Sequence, residues 1–369
     1  MPFLSTEHRF ILELLRRFLG KVDKISPFPG MDWEKIHTII TNHGLYPIAH
    51  YILKQDTIAP PKPFERQWAA MRADILALNL ALLSELREIA SRYPFNDLAV
   101  VQGGALLDTL YMDLSLRPLC DMDLLVNQKH KKELAQAFAE RGFTQNKIYP
   151  GHYEKGSLVF DVHFDLLETD RISARWFISP DLTDTTVLHP HASIPNLFVL
   201  SPERSFIHCS LHTVKHSYSR WIWGVDLALF LDRNPNPLFL KQVLEEAKRL
   251  GVGRPLAHSL MVLRDLFGFP LSKGAFGYPP NRIEQRIIDR IVNAQPMEQA
   301  GDLLFFFTIP GIVRKMRFAF ETIFPRPSII RQTANHESES MVKLYLKRIG
   351  MLASFCVRML RRGSAKNRS

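Results

Sequence analysis

The chain has 369 residues, 46% hydrophobic and 23% charged, a globular balance that excludes wholesale disorder and collagen-like or mucin-like chains. Its three cysteines, Cys120, Cys209 and Cys356, stand too far apart for a disulfide framework or a CxxC zinc pattern. The net charge is +10, and residues 311–369 alone, with 13 Lys or Arg against 3 Glu, account for all of it, which points that end of the molecule at an anionic partner, nucleic acid or a membrane surface, against the plainer reading of a solvated helical face.

The N-terminus carries charges inside its apolar stretch and has no small-residue cleavage site, so it does not read as a signal peptide. Apolar spacing at three and four predicts an amphipathic helix over residues 6–20, and the pattern returns over 33–54, interrupted by Gly44 and Pro47. After Pro60, Pro61 and Pro63, residues 64–92 read as one long helix without Pro or Gly. The texture changes at Pro94. Leu98–Val101 is a short apolar run ending at Gly103-Gly104, with a helical segment following to Tyr111. Leu119–Val126 reads as a strand, and Lys129–Arg141 as a helix stopped by Gly142. Tyr149–Lys155 and Ser157–Leu166 read as paired strands turning at Gly156. Residues 180–200 hold two short β-like runs, and from Ser201 the pattern is helical, punctuated at 234–237, 268–280 and 325–327. The expected organisation is an N-terminal helical region (1–93), an α/β core (94–200), a helical region packing on the core (201–310) and a basic helical tail (311–369). The longest apolar runs, Leu303–Val313 and Ile349–Val357, fall short of the ~20 residues that span a bilayer. The expected location is therefore the cytoplasm, with peripheral attachment at a membrane as the variant that the tail suggests.

Chemistry concentrates in the core. Asp121 and Asp123 lie in an otherwise apolar strand, and side chains alternate along a strand, so both carboxylates point to one face. Two carboxylates there repel and resist burial. A divalent cation resolves the conflict, and Mg²⁺ (or Mn²⁺) suits carboxylate oxygens completed by water and substrate phosphates. The run Phe160–Leu166 alternates strictly, with Asp161, His163 and Asp165 on one face. If this strand neighbours the first, one of its aspartates completes a three-carboxylate site for in-line phosphoryl or nucleotidyl displacement. Gly103 and Gly104, between strand and helix, allow backbone N–H groups close to phosphate.

In combination, Gly-Gly, a helix, a DxD strand and a later Asp-bearing strand resemble the DNA polymerase β-type nucleotidyltransferase superfamily. More narrowly, VVQGGALLDTLYMDLSLRPLCDMDLLV and FDVHFDLL resemble the bacterial uncharacterised nucleotidyltransferase family, and ITNHGLYPIAHYIL, ALNLALLSEL and LHTVKHSYSRWIWGVDLALFL extend the likeness over about residues 30–270. The resemblance implies an α+β fold, a small polymerase β-like mixed-sheet core flanked by N- and C-terminal helical regions. It implies an enzyme that binds a nucleoside triphosphate such as ATP and moves a nucleoside monophosphate to an acceptor hydroxyl, releasing pyrophosphate. The acceptor could be a protein, an RNA end or a small hydroxylated molecule. By family position Asp161, rather than Asp165, joins Asp121 and Asp123 as catalytic metal ligand, and Gly103 and Gly104 cradle the phosphates. Two departures stand out: Gln102 replaces the Lys of many relatives, and sixteen residues, Ala105–Cys120, separate Gly104 from Asp121. The alternative function is a non-catalytic nucleotide-binding or scaffold protein whose tail docks to nucleic acid or an anionic membrane.

Further residues carry weaker signals. Arg117 lies just before the DxD strand, within reach of a triphosphate. His208, His212 and His216 repeat at four, on one side of a helix, as zinc ligands do or as rings packed beside the active site. His163, His212 and His216 read as supporting residues. Asp226 needs a partner, from Arg220 or a histidine of its helix, and Trp221 and Trp223 read as core. Residues 341–362 form a basic amphipathic helix that either packs on the core through Leu344, Leu346, Ile349, Leu352 and Phe355 or lies on an anionic surface with Arg358, Arg361 and Arg362.

Overall fold

In a computed structural model, the structure describes residues 4–364 except 170, 177, 179–185, 272–276, 296–298 and 335–339, with side chains followed through Ser354. The side chains of Phe355, Cys356, Arg358, Arg361 and Arg362 lie outside the described residues.

Four helices open the chain: α1 (Thr6–Phe18), α2 (Trp33–Asn42), α3 (Tyr46–Gln55) and α4 (Lys62–Arg92). Each break has a local cause. Gly44 takes φ +69° after α2, and Pro47 stands in the first turn of α3, where its missing N–H costs nothing. Among the described residues seven strands follow: β1 (Ala99–Val100), β2 (Met122–Leu125), β3 (Thr144–Gln145), β4 (His152–Lys155), β5 (Leu158–His163), β6 (Leu188–Pro190) and β7 (Phe198–Leu200). They form one mixed sheet in the order β3-β4-β5-β2-β1-β7-β6. The pairs β2/β5 and β1/β7 are parallel; β1/β2, β3/β4, β4/β5 and β6/β7 are antiparallel. The molecule is thus mixed α+β.

Period-two alternation assigns the faces of the two central strands. Met122, Leu124, Phe160 and Val162 turn to a cluster completed by Leu82, Leu86 and Ile89 of α4 and by Leu134 and Phe138 of α6 (Lys131–Glu140). The opposite face carries Asp123 and Asp161 in direct register. It is walled by α7 (Pro202–Lys215) and α8 (Trp221–Arg233). Helices α9 (Pro237–Arg249), α10 (Gly253–Phe267), α11 (Arg282–Val292) and α12 (Ala300–Thr308) pack behind these. One continuous apolar cluster joins Phe10, Ile40 and Trp68 to Phe206, Leu260, Phe305 and Phe318, so helices from both ends of the chain share a core.

Three further helices follow among the described residues: α13 (Ile312–Ile323), α14 (Pro327–Ala334) and α15 (Met341–Ser364). Leu344 is buried, Arg348 Nε donates to Thr322 O at 2.6 Å, and the Tyr345 hydroxyl donates to Pro325 O at 2.6 Å. These contacts pack α15 on α13 and the turn before α14. Leu346 and Ile349, expected in that packing, are exposed instead, because Leu344 and Arg348 occupy the inward side of the helix.

Two local expectations change. The helix after β1, α5, spans Gln102–Leu106 rather than running to Tyr111, so Gly103 and Gly104 sit inside its first turn. β5 ends at His163, and Asp165 leaves the sheet: it is buried in the following turn, accepting from the backbone N–H of Leu167 at 2.8 Å and of Thr169 at 3.1 Å. Alternation in sequence persists past the strand because Phe164 and Leu166 are needed for packing, not because the ladder continues.

Candidate active site

Asp123 and Asp161 lie side by side on parallel strands, and Asp121 stands one residue before β2. The three line one cleft of about 240 Å³ with Gln102, Gly103, Arg117, Glu168, Arg171, His212, Lys215, His216, Arg220 and Trp223. A ligand atom each from Asp123, Asp161 and His163 falls within 4.8 Å of the others, a spacing that can hold one metal ion.

His163 is the hub. Its Nε2 lies 2.9 Å from Asp123 Oδ1 and 3.5 Å from Asp161 Oδ2, and its Nδ1 lies 3.8 Å from Glu168 Oε1. Burial alone would lower its pKa. The carboxylates of Asp161, Asp123 and Glu168 outweigh burial and lift it to about 10, which favours the imidazolium at neutral pH, so a metal ion would gain His163 as a ligand only by displacing its proton. Asp161 also meets His152 Nε2 at 3.4 Å. Against its burial, these two histidines hold the Asp161 carboxyl below its usual range. Asp121 is in no ion pair among the described residues, and burial, then the charges of Asp123 and Asp161, outweigh the more distant His152 and His163 and push it up to about 6. Excess negative charge on a sheared-off strand end is what a divalent cation neutralises, and a predominantly carboxylate donor set fits Mg²⁺ or Mn²⁺.

The approach to Asp161 depends on a glycine. A Cβ on Gly151 would come 2.8 Å from Asp161 Oδ1 and 3.0 Å from Val162 O. Gly103 is similarly confined, 2.8 Å from Leu119 Cδ2 and 3.0 Å from Arg117 Nη2 at the position of a Cβ. Gly104 does not line the cleft; it faces Val100 and Met122, giving close helix-to-sheet packing. Gln102 adopts φ +51°, unusual for a residue with a side chain, and donates from Nε2 to Asp123 Oδ1 at 3.1 Å.

Of the sixteen residues between Gly104 and Asp121, those after α5 form a connection pinned to α4. Asn79 Nδ2 donates to Leu114 O and Arg117 O at 2.7 and 2.9 Å, and Arg72 Nε donates to the Ser115 hydroxyl at 2.7 Å. The loop delivers Arg117 to a buried pair with Asp226, Nε to Oδ1 at 2.9 Å and Nη2 to Oδ2 at 2.8 Å. Tyr111 adds its hydroxyl to Asp226 Oδ1 at 2.6 Å. Asp226 is therefore satisfied by Arg117 and Tyr111, not by Arg220 or a histidine: the partner comes from a loop more than a hundred residues away, which helix periodicity does not reveal.

Arg220 instead turns to the cleft and makes no ion pair among the described residues; its Nη1 lies 3.5 Å from Cys120 Sγ. Trp223, expected in the core, is half-buried and lines the cleft, with its ring centroid 5.0 Å from that of His212 and 5.2 Å from that of His216. Trp221 is buried and stacks on His43 at 4.8 Å. Burial and the neighbouring His216 and Lys215 hold His212 neutral. His208 is buried behind it, away from the cleft lining, so the histidine row does not converge. Glu168, Arg171 and Lys215 form a second charged group, with Lys215 Nζ 2.5 Å and Arg171 Nη1 3.4 Å from Glu168 oxygens. Glu168 and Arg171 lie in an irregular stretch without periodicity, and Lys215 is spaced from the histidines only by helix geometry. For Arg220 the signal was its place next to the helix that carries Trp223.

Residues 29–268 match the family described as uncharacterised nucleotidyltransferase. No curated protein and no solved structure matches the chain. The match takes in α2 to α4, the whole sheet, the cleft and α7 to α10, and on that extent the chain belongs to the uncharacterised nucleotidyltransferase family.

Proposed function

We propose that this protein is a metal-dependent nucleotidyltransferase that moves a nucleoside monophosphate from a nucleoside triphosphate to an acceptor hydroxyl. The observation that carries the reading is the direct register of Asp123 with Asp161 on adjacent parallel strands, with Asp121 at the strand end, all facing one cleft. Asp121, Asp123 and Asp161 would hold Mg²⁺ or Mn²⁺, which when bound supplies charge neutralisation at the triphosphate.

The protein's own groups do the rest. Gly103 lines the cleft and lets Leu119 and Arg117 pack close against the backbone there, and Arg220 offers a cation that pairs with no carboxylate among the described residues. Arg117 contributes as a brace, since its guanidinium is held by Asp226 and by Pro118 O. The acceptor oxygen attacks the α-phosphorus, the bond from that phosphorus to the bridging oxygen breaks, and pyrophosphate departs. Asp161 takes the hydroxyl proton. His152 and His163 beside it fix its orientation. Positioning and fixed electrostatics supply most of the acceleration.

Incubating the protein with each labelled triphosphate, Mg²⁺ or Mn²⁺ and a cell lysate tests the proposal. Divalent-dependent transfer of label to a macromolecule or small acceptor, absent with Asp123→Asn, is the expected result. Failure of every triphosphate to bind in the presence of either ion would overturn it.

A further inference from the structure

The sequence places all of the net positive charge in residues 311–369, and the structure adds an apolar surface to it. On α13 and its C-cap, Ile312, Val313, Met316, Phe320 and Phe324 are 71%, 80%, 60%, 62% and 44% exposed. At 100° per residue these five fall within one side of the helix, while Phe318 and Thr322 face inward on the other. α13 therefore has two apolar sides, one in the core and one in solvent. On α15, Val342, Leu346 and Ile349 form a second exposed stripe, beside the exposed Lys343 and Lys347. The stripes approach each other where the Phe324 and Tyr345 rings lie 6.3 Å apart.

We propose that this face docks the protein onto an anionic lipid surface, and the proposal stands independently of the chemistry of the cleft. Charge complementarity selects that occupant. Among the described residues of the segment Glu321 is the one acid, and it is turned to Ser173, the Ala174 N–H and Arg317. Bulky exposed Phe, Met, Ile and Leu interleaved with Lys and Arg suit the boundary between headgroups and acyl chains, whereas a phosphate backbone has no use for the apolar stripe. α13, at 12 residues, is about 18 Å long, and no helix among the described residues is long and apolar enough to cross a membrane, so the face lies on the surface.

The test is co-sedimentation of the full chain with vesicles of phosphatidylcholine alone and of phosphatidylcholine mixed equally with phosphatidylglycerol. Binding is expected to the anionic vesicles and to weaken as salt rises. Met316→Ser with Phe320→Ser is expected to weaken binding about tenfold or more at an unchanged melting temperature. Ile312→Ser with Val313→Ser serves as a second variant of the same stripe. Lys343→Ser with Lys347→Ser is expected to cost about fivefold for each charge removed. No sedimentation with anionic vesicles at low salt, or sedimentation indifferent to both stripe variants, overturns the proposal. So does a lipid-free dimer that Met316→Ser with Phe320→Ser converts to monomer, which would give the face to a second copy. Retention by single-stranded RNA that needs the lysines and ignores the stripe, without vesicle binding, would also overturn it.

Discussion

His163 donates from Nε2 to Asp123 Oδ1 at 2.9 Å, and a second ring proton, on the Nδ1 that lies 3.8 Å from Glu168, supplies the positive charge around which the acidic face is built. The folded protein binds it more tightly than the unfolded chain, because the pKa rises from 6.5 to about 10. The resulting stabilisation is complete below pH 6.5 and is lost as pH climbs through about 10. In EDTA, the melting temperature should fall between pH 7 and 10, and the wild type should lose about 3–4 kcal/mol more than His163→Gln over that range. Parallel curves for the two proteins would show that the imidazolium is not the counter-ion.

Asp121 has the opposite standing. Its carboxyl, raised from 3.8 to about 6, ionises at a cost in the folded state, so its contribution is favourable below 3.8 and is lost as pH rises through about 6. Asp121→Asn should therefore stabilise the metal-free protein at pH 7.5 by about 1–2 kcal/mol. The same variant, combined with Asp123→Asn, should lose Mg²⁺-dependent triphosphate binding by calorimetry while remaining folded. Unchanged affinity in the double variant would remove both aspartates from the site.

Asp161 and Asp165 separate cleanly. Asp161→Asn should abolish transfer and keep part of the triphosphate binding, since the residue lines the cleft. Asp165 caps two backbone amides in the turn after β5, so Asp165→Asn should cost about 1–2 kcal/mol of stability and leave kcat unchanged. Kinetics on both variants, corrected for the folded fraction, decide between them.

Two arginines at the cleft should behave differently. Arg117→Ala strands Asp226 in the core and should cost about 3–5 kcal/mol in urea melts. Arg220→Ala should leave the melt within about 0.5 kcal/mol and weaken triphosphate binding roughly tenfold. Equal effects on stability would show that Arg220 is a structural residue too.

Deleting residues 341–369 removes Leu344 from its packing and breaks the Arg348 and Tyr345 bonds to Thr322 and Pro325. The truncated protein should be about 2–4 kcal/mol less stable. A melting temperature equal to that of the full chain would mean that α15 does not contribute to the fold.

Much of this architecture is legible in the sequence because its signals are local. The 31-residue α4, the β4–β5 hairpin at Gly156 and the inward–outward alternation of β5 all follow from spacing and turn chemistry. The acidic face follows from alternation too, but its completion needed one non-local fact, that β2 and β5 are neighbours. Residues that depend on the same kind of fact were not legible. Arg117 finds Asp226 across the fold, Gln102 takes a left-handed backbone to reach Asp123, and Lys215 reaches Glu168 from another element. Trp223 was misread because an indole on an apolar helix has the same pattern whether its face meets core or cleft. The exposed stripe of α13 was hidden for the converse reason: apolar spacing reports a face, not what covers it.

The parallel pairing of β2 with β5 joins segments about 40 residues apart, and β1 must also wait for β7. During synthesis on the ribosome, then, β2 can pair with β5 once the chain has emerged through His163, which brings Asp123 to Asp161, whereas β1 gains its second neighbour only after Phe198–Leu200 has emerged. The pairing of β2 with β5 runs uphill against like charge unless His163 is protonated or a cation is at hand. Divalent ions should thus speed the step of refolding in which β2 meets β5.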